Sequence, residues 1–83
     1  MKIYDFKGRK NVCGKNIRRM RMIQGITQAE LAAKCQVEEL MMERDSISRI
    51  ELGTRFVADY ELYIIAHVLE TSMEELLEMP ENN

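Results

Sequence analysis

The sequence predicts an all-α protein of five short helices, and three observations lead to this fold class. Only one proline, Pro80, occurs among the 83 residues, and it lies near the C-terminus. The chain has few glycines and no long run in which β-branched and polar residues alternate, as a half-buried strand requires. Two capping-box sequences, Thr27–Glu30 and Ser72–Glu75, mark the starts of helices.

The length of 83 residues fits one small domain. We expect residues 11–79 to form the helical domain, with a short N-terminal arm at 1–10 and a tail at 80–83. The arm mixes Tyr4 and Phe6 with lysines. It has two interpretations, a partly ordered tail or a segment packed over apolar surface.

The first helix is predicted from about Val12 to Gln24. Cys13, Ile17 and Met20 are spaced i, i+4, i+7, which places them on one apolar stripe. Gly25 follows this stripe and is expected to end the helix, because glycine adopts the positive φ that helix C-termini favour.

The remaining helices are predicted from their start and stop residues. The two capping boxes open the second and fifth helices, and Pro80 ends the fifth. The third helix runs from about Arg44 to Leu52 and stops at Gly53, and Asp59 is expected to cap the fourth. The inward-facing residues predicted on these four helices are Leu31, Ala32, Cys35, Ile47, Ile50, Leu62, Ile65, Ala66, Leu69, Met73, Leu76 and Leu77.

Charge is distributed unevenly along the chain, although the net charge is only −2. Residues 1–25 carry eight basic side chains against Asp5 alone, whereas residues 26–83 carry four basic and thirteen acidic side chains. This asymmetry fits a basic face that binds a polyanion, or a solvated basic helix beside an acidic remainder.

Several classes of function are disfavoured by the residue inventory. His67 is the sole histidine, so a catalytic arrangement has at most one imidazole base, and we expect a surface or interface side chain. Cys13 and Cys35 are too few for a disulfide scaffold or a four-cysteine zinc site. No glycine-rich phosphate loop is present. We therefore expect no enzyme activity, no metal and no cofactor.

The hydropathy pattern likewise disfavours membranes. No apolar run approaches the ~18 residues of a membrane span, and the N-terminus lacks the apolar block of a signal peptide. We therefore expect a cytoplasmic protein with no membrane partner.

Four sequence segments, taken in order, resemble the Cro/cI-type (XRE-family) helix-turn-helix repressors of bacteria and phages. They are Ile17-Arg18-Arg19-Met20-Arg21, Gly25-Ile26-Thr27-Gln28-Ala29-Glu30-Leu31-Ala32, Ile47-Ser48-Arg49-Ile50-Glu51-x-Gly53, and Ile65-Ala66-x-x-Leu69 with Met73-x-x-Leu76-Leu77. The resemblance implies a compact five-helix bundle of the lambda-repressor-like type. It also implies a bacterial or phage-encoded transcriptional regulator, a repressor that binds double-stranded DNA.

The resemblance implies base contacts from the exposed face of the third helix, the recognition helix. The matching residues are Arg44, Asp45, Ser48 and Arg49. An arginine can bond guanine O6 and N7 together, which makes Arg44 and Arg49 the expected base readers. Asp45 either accepts from a cytosine amino group or complements the helix dipole.

The resemblance also implies contacts to phosphates and one structural ion pair. Gln28, Thr54 and Arg55 match positions that touch the DNA backbone, and Arg21 and Glu51 match an ion pair that ties the first helix to the third. Further phosphate contacts are expected from Lys15, Arg18 and Arg19, with solvent exposure as the alternative for the two arginines.

The chain departs from the family between the second and third helices. Leu31 and Ile47 lie sixteen positions apart, which is longer than the family spacing and predicts an enlarged turn within residues 36–43. The insertion has two interpretations: either helix two extends into it, or it forms a longer loop. Met42 is expected to fill an apolar pocket before the recognition helix. Glu43 stands where the family prefers Ser or Thr, so this helix lacks a good N-cap.

Two functions follow from these predictions. The first is a transcriptional regulator that binds an operator as a homodimer, formed through helices four and five, with no small-molecule ligand. The alternative is a protein-interaction module of the same fold, an antitoxin or regulator partner with little DNA binding. The acidic insertion and the weak cap motivate the second.

Overall fold

Five helices and no strand make up residues 5–79, the part of the chain that the computed structural model describes. The helices are α1 (Gly14–Gln24), α2 (Gln28–Val37), α3 (Arg44–Leu52), α4 (Asp59–Val68) and α5 (Met73–Leu76). The predicted all-α class is confirmed. Residues 1–4 of the predicted arm and all of the predicted tail at 80–83 lie outside the described residues. No helix within 5–79 combines the length and hydropathy of a membrane crossing.

One hydrophobic core joins the helices. Its fully buried side chains include Ile17, Leu31, Met42, Ile47, Ile50, Ile65, Leu69 and Leu76. Helix α3 packs against both α1 and α2, and α5 packs against α1 and α4. Cys13 and Cys35 are buried in this core as free thiols. Burial raises the pKa of each thiol to about 11, so both remain neutral and pack as small apolar side chains.

The capping boxes of α2 and α5 are confirmed. Thr27 Oγ1 accepts from the Glu30 amide at 3.0 Å, and the Glu30 carboxylate accepts from the Thr27 amide at 2.7 Å. The equivalent bond at α5 joins the Glu75 amide to Ser72 Oγ at 3.0 Å. Each box pairs amides that the first helical turn leaves without a helical partner.

The predicted cap of α4 is wrong. Asp59 is the first residue of the helix, and Ala58 occupies the N-cap position. Alanine has no side-chain acceptor, and the Glu61 carboxylate reaches back to accept from the Ala58 amide at 2.9 Å. Asp59 lies in the first turn, where its charge complements the helix dipole.

Most of the segment predicted to hold the insertion, 36–43, forms a loop, and α2 includes only its first two residues. Helix α2 ends at Val37, and residues 38–43 connect it to α3. Met42 is fully buried, as predicted, and its carbonyl accepts from Gln36 Nε2 at 2.6 Å, whereas Met41 is 85% exposed. Glu43 occupies the α3 N-cap, and within residues 5–79 its side chain makes no capping hydrogen bond.

The four longer helices end in one hydrogen-bond pattern, in which two amides past the helix return to carbonyls of its last turn. The residue with positive φ is glycine at two of these ends, with φ 70° at Gly25 and 82° at Gly53. Glutamate takes that place at the other two, with φ 66° at Glu39 and 57° at Glu70.

Candidate nucleic-acid interface

Helix α3 buries one face and exposes the other. Ile47, Ile50 and Glu51 face the interior. The predicted base-contacting residues lie on the remaining surface: Arg44, Asp45 and Arg49 are exposed, and Ser48 is half-buried. Their spacing of i, i+1, i+4 and i+5 places them on one side of the helix, so a single groove of DNA could meet all four.

Arg49 and Asp45, two of the residues on this surface, form a loose ion pair. Arg49 Nη1 lies 3.7 Å from Asp45 Oδ2, one helical turn away, and both side chains are largely exposed. Exposed pairs of this kind contribute little stability. Arg49 is therefore available to exchange the Asp45 carboxylate for a base edge, while Asp45 complements the start of the helix dipole.

A buried ion pair joins the last turns of α1 and α3. Arg21 Nε lies 2.8 Å from Glu51 Oε2, and Arg21 Nη2 lies 2.9 Å from Glu51 Oε1. The remaining Arg21 nitrogen donates to the Ile26 carbonyl at 2.9 Å. The hydrogen bond to Glu51 raises the pKa of the guanidinium. These two residues are the pair expected from the sequence, and their bidentate geometry fixes the orientation of α3 on α1.

Gln28 extends this pair toward the surface. Its Nε2 donates to Glu51 Oε1 at 3.0 Å, and its Oε1 accepts from Arg44 Nη1 at 3.4 Å. The side chain predicted to bind phosphate thus also links the buried ion pair to an exposed arginine. An amide NH2 has two hydrogens, and the second is the one that a phosphate oxygen would use.

Arg55, a predicted phosphate contact, pairs with Glu61. Its two terminal nitrogens each lie 3.0 Å from an oxygen of Glu61, and one also donates to the Phe56 carbonyl at 2.9 Å. The hydrogen bonds from Arg55 lower the pKa of the Glu61 carboxyl, and the Ala58 amide adds to this effect. These hydrogen bonds hold the Arg55 guanidinium at the start of α4. Neighbouring Thr54 is exposed, and its hydroxyl donates to the Arg49 carbonyl at 3.3 Å.

The basic residues of α1 divide into two groups. Lys15, Arg18 and Arg19 are exposed, and Arg19 donates to Asn16 Oδ1 at 3.1 Å. Arg21 is the buried member. Helical spacing explains the division, because Arg21 follows Ile17 by four residues on the core face.

Sequence reasoning missed the residues that hold the C-terminal end of α3. Arg9 donates to the Glu51 carbonyl at 2.8 Å and to the Leu52 carbonyl at 3.3 Å. Asn11 Nδ2 donates to the Ile50 carbonyl at 3.0 Å. Gly14 permits this contact, because a Cβ there would lie 2.1 Å from the Ile50 oxygen. These residues lie about forty positions from their partners, and no local spacing rule detects such pairs.

A family model described as helix-turn-helix matches residues 17–76, well over half of the chain. The chain belongs to the helix-turn-helix family. The match begins at Ile17 and ends at Leu76, so it covers most of α1 and all of α2 to α5. None of the curated protein sequences compared with this chain matches it significantly.

Three solved structures are similar to this one. The restriction-modification controller protein C.AhdI from Aeromonas hydrophila is 25% identical over 76% of this chain and 84% of its own, with a TM-score of 0.67. The hypothetical transcription factor NHTF from Neisseria is 28% identical over 83% and 74%, with a TM-score of 0.73. The clp gene regulator ClgR from C. glutamicum is 25% identical over 81% and 80%, with a TM-score of 0.70.

The family and these similarities confirm two predictions from the sequence. The fold is the small all-α bundle of XRE-type regulators, and the chain is a DNA-binding transcription regulator. The enlarged turn at 38–43 lies inside the matched region, and the two helices that it connects, α2 and α3, pack against each other.

Proposed function

We propose that this helix-turn-helix protein binds an operator as a homodimer and represses transcription by occupying it. Each copy would lay α3 in a major groove, with successive grooves about one helical turn apart. The observation that carries this proposal is the exposed face of α3 held from behind by the Arg21–Glu51–Gln28 network. A rigidly held reading face is what sequence-specific contacts require.

Base reading is assigned mainly to Arg49, with Arg44 as the second reader. Both guanidiniums are exposed, and an arginine that bonds guanine bidentately discriminates by about 1–3 kcal/mol. Ser48, half-buried between them, would make a short contact or admit a base edge. Asp45 is placed to accept from cytosine or to hold Arg49 before DNA binds.

Phosphate contacts are assigned to the exposed Lys15 and Arg18, to the second amide hydrogen of Gln28, and to Thr54. The cations neutralise backbone charge and fix the register on the duplex without reading sequence. Because Arg55 is held by Glu61, it is removed from the proposed phosphate set.

The homodimer is assigned to α4 and α5. Tyr60 and Tyr63 lie one turn apart on α4, and each is 63% exposed. Leu77, just after α5, is 46% exposed, whereas Ile64 is half-buried against the core. A cluster of exposed aromatic and apolar side chains is typical of an association surface.

We place the protein in the cytoplasm of a bacterium or a phage-infected cell.

The experiment that tests this proposal is selection of binding sites from a random duplex pool. The Arg49→Ala variant is the loss-of-function protein, and Lys34→Ala, which removes an exposed cation of α2, is the matched control. We expect a near-palindrome with half-sites ~10 base pairs apart that Arg49→Ala loses and Lys34→Ala retains. An asymmetric site would overturn the homodimer, and no enrichment at low salt would overturn DNA reading.

A second candidate function is protein binding through the enlarged turn. Met41 is 85% exposed and Val37 is 78% exposed. The same segment of the chain carries the exposed Glu38, Glu39 and Glu43. Such a surface suits a partner with basic and apolar groups. This function predicts a partner that is lost with Met41→Ser and retained with Arg49→Ala, the reverse of the pattern expected for operator binding.

A further inference from the structure

The N-terminal segment before α1 is bonded to the end of the recognition helix. Carbonyls at residues 50–52 accept from Arg9 and Asn11, and the Gly53 carbonyl accepts from the Lys10 amide at 2.8 Å. Asn11 also donates to the Arg55 carbonyl at 2.8 Å. This segment precedes residue 17, where the family match begins.

A tight turn presents the basic side chains of this segment. Phe6 and Arg9 exchange two backbone hydrogen bonds, at 2.7 and 3.0 Å, around Lys7 and Gly8. Both central residues have positive φ, at 54° and 83°, as in the turns that close tight hairpins. The turn leaves Lys7 exposed at its tip, and the bonds of Arg9 to α3 fix its position.

Lys10 lies beside the loop that follows the recognition helix. Its Nζ sits 5.4 Å from the centre of the Phe56 ring. That loop contains Thr54 and Arg55, the positions expected to touch the DNA backbone. Lys10 is exposed, so it brings a cation to the side of this loop.

The turn and α1 together form a cationic cleft of about 570 Å³. The charged residues that line it are Lys7, Arg9, Lys15, Arg19 and Glu78. Four cations against one carboxylate make a positive surface, and one of the four is Lys15, a proposed phosphate contact. Lys7 at the turn and Lys15 on α1 therefore line the same cleft.

We infer that residues 6–11 form a basic clamp, which adds Lys7 and Lys10 to the DNA-backbone contacts. The inference rests on the proposed DNA binding. Arg9 and Asn11 act as positioning residues, since they bond α3 and orient the turn. Lys7 and Lys10 are the groups that meet phosphate. Because phosphate contacts carry no sequence information, the clamp strengthens binding to all duplexes alike.

The salt dependence of DNA affinity measures this contribution directly. Each neutralised phosphate contributes about 0.9 to the slope of log affinity against log salt. The Lys7→Ala, Lys10→Ala double variant should therefore lower the slope by roughly two units, on the selected site and on unrelated duplex equally. The single control Lys34→Ala should leave the slope unchanged, and Lys7→Arg with Lys10→Arg should retain it.

A second variant tests the turn without removing a charge. Gly8 has φ 83°, and no described atom lies within 4 Å of a Cβ added there. Gly8→Ala therefore strains the turn alone, and we expect it to reduce the slope while thermal unfolding of the helices stays close to wild type. This variant separates clamp geometry from net charge.

The outcomes separate the clamp from the proposed function. If the wild-type chain binds duplex and the double lysine variant keeps its full slope, the clamp is overturned and DNA binding stands. If the wild-type chain binds no duplex at low salt, both are overturned. A slope that falls equally in Lys34→Ala would show a general charge effect and would also overturn the clamp.

Discussion

The ends of α1 and α3 contrast with the ends of α2 and α4. All four use the same returning hydrogen bonds, but the first two place glycine at the position of positive φ, and the other two place Glu39 and Glu70 there. A non-glycine residue in this conformation costs about 1–2 kcal/mol. A carboxylate beside a helix C-terminus also opposes the helix dipole.

The difference extends to the side chains around these ends. Arg21 lies in the last turn of α1, and the Arg9 guanidinium bonds carbonyls at the end of α3, so cations meet both dipoles where they are negative. The ends of α2 and α4 lie near each other, with Glu38 Oε1 3.9 Å from His67 Nε2. Lys34 and His67 lie in the last turns of α2 and α4, so these ends differ from those of α1 and α3 mainly in the glutamates at positive φ.

The largest expected effect is loss of the buried ion pair between α1 and α3. Removing one partner of a buried pair costs about 3–5 kcal/mol, because a charge is left without compensation. We expect Arg21→Met to lower the free energy of unfolding by this amount in urea denaturation. Arg55→Met breaks a pair that solvent reaches more easily, with Arg55 23% exposed against 9% for Arg21, and should cost about 1–2 kcal/mol.

The double variant Arg21→Met, Glu51→Leu is the control for that comparison. It removes both charges and should recover part of the loss, since replacing a buried pair by apolar groups is often tolerated. Equal losses in Arg21→Met and Arg55→Met would contradict the expected effect of the difference in burial between the two ion pairs.

The two glycine ends provide the next test. Gly25→Ala places a Cβ where no described atom lies within 4 Å, so the expected loss is the strain of positive φ, about 1–2 kcal/mol. At Gly53 the new Cβ would lie 2.6 Å from the Arg9 guanidinium carbon. Gly53→Ala should therefore cost more than Gly25→Ala in the same denaturation assay. It should also weaken DNA binding, since it displaces Arg9.

If the two alanine variants lose similar amounts of unfolding free energy, the Arg9 side chain can move away from the new Cβ without loss of stability. The hydrogen bonds between Arg9 and α3 would then contribute little to stability. DNA affinity measured beside stability separates the two effects, because Gly25 lies outside the proposed clamp.

Which parts the sequence predicted follows from how local each signal is. The capping boxes, both glycine ends and the burial of Met42 were predicted, because each depends on spacing within a few residues. The cap of α4 was missed because its acceptor, Glu61, comes from inside the helix rather than from the N-cap residue. Arg21 and Arg55 each pair with a carboxylate that is distant in sequence or outside any local motif. The family resemblance predicted Glu51 as the partner of Arg21, whereas no sequence pattern predicted Glu61 as the partner of Arg55.

Substitution at the two glutamate ends should raise stability, whereas substitution at the two glycine ends should lower it. Glu39→Gly removes the strain of positive φ and a charge that opposes the α2 dipole, and we expect a gain of about 1 kcal/mol. Glu70→Gly should give a similar gain at α4. A rise in the midpoint of thermal unfolding measures both. Glu39→Gln, which removes the charge but keeps the strain, should recover only a small part of the gain.

The smallest effect expected is a difference in local opening between the two regions, for which the buried thiols are built-in reporters. Cys13 directly precedes α1, and Cys35 lies in the last turn of α2, where its carbonyl accepts from the Leu40 amide. Both thiols are buried, with pKa values raised to about 11, so labelling by a thiol reagent at pH 8 must proceed through opening. We expect Cys35 to label several-fold faster than Cys13 under native conditions, as measured by mass spectrometry.

Glu39→Gly should reduce the difference in labelling rate between Cys35 and Cys13, because it stabilises the end of α2 and leaves α1 unchanged.

The pH dependence of stability gives an independent check on the burial of both thiols. A thiol whose pKa is raised on folding favours the folded state below its ordinary value of 9.0 and loses that contribution as pH rises toward about 11. Stability should therefore decline in this alkaline range, and Cys35→Ala should reduce the decline. If Cys13 labels as fast as Cys35, the strained end of α2 opens no more readily than the glycine-capped end of α1, and the contrast is confined to static geometry.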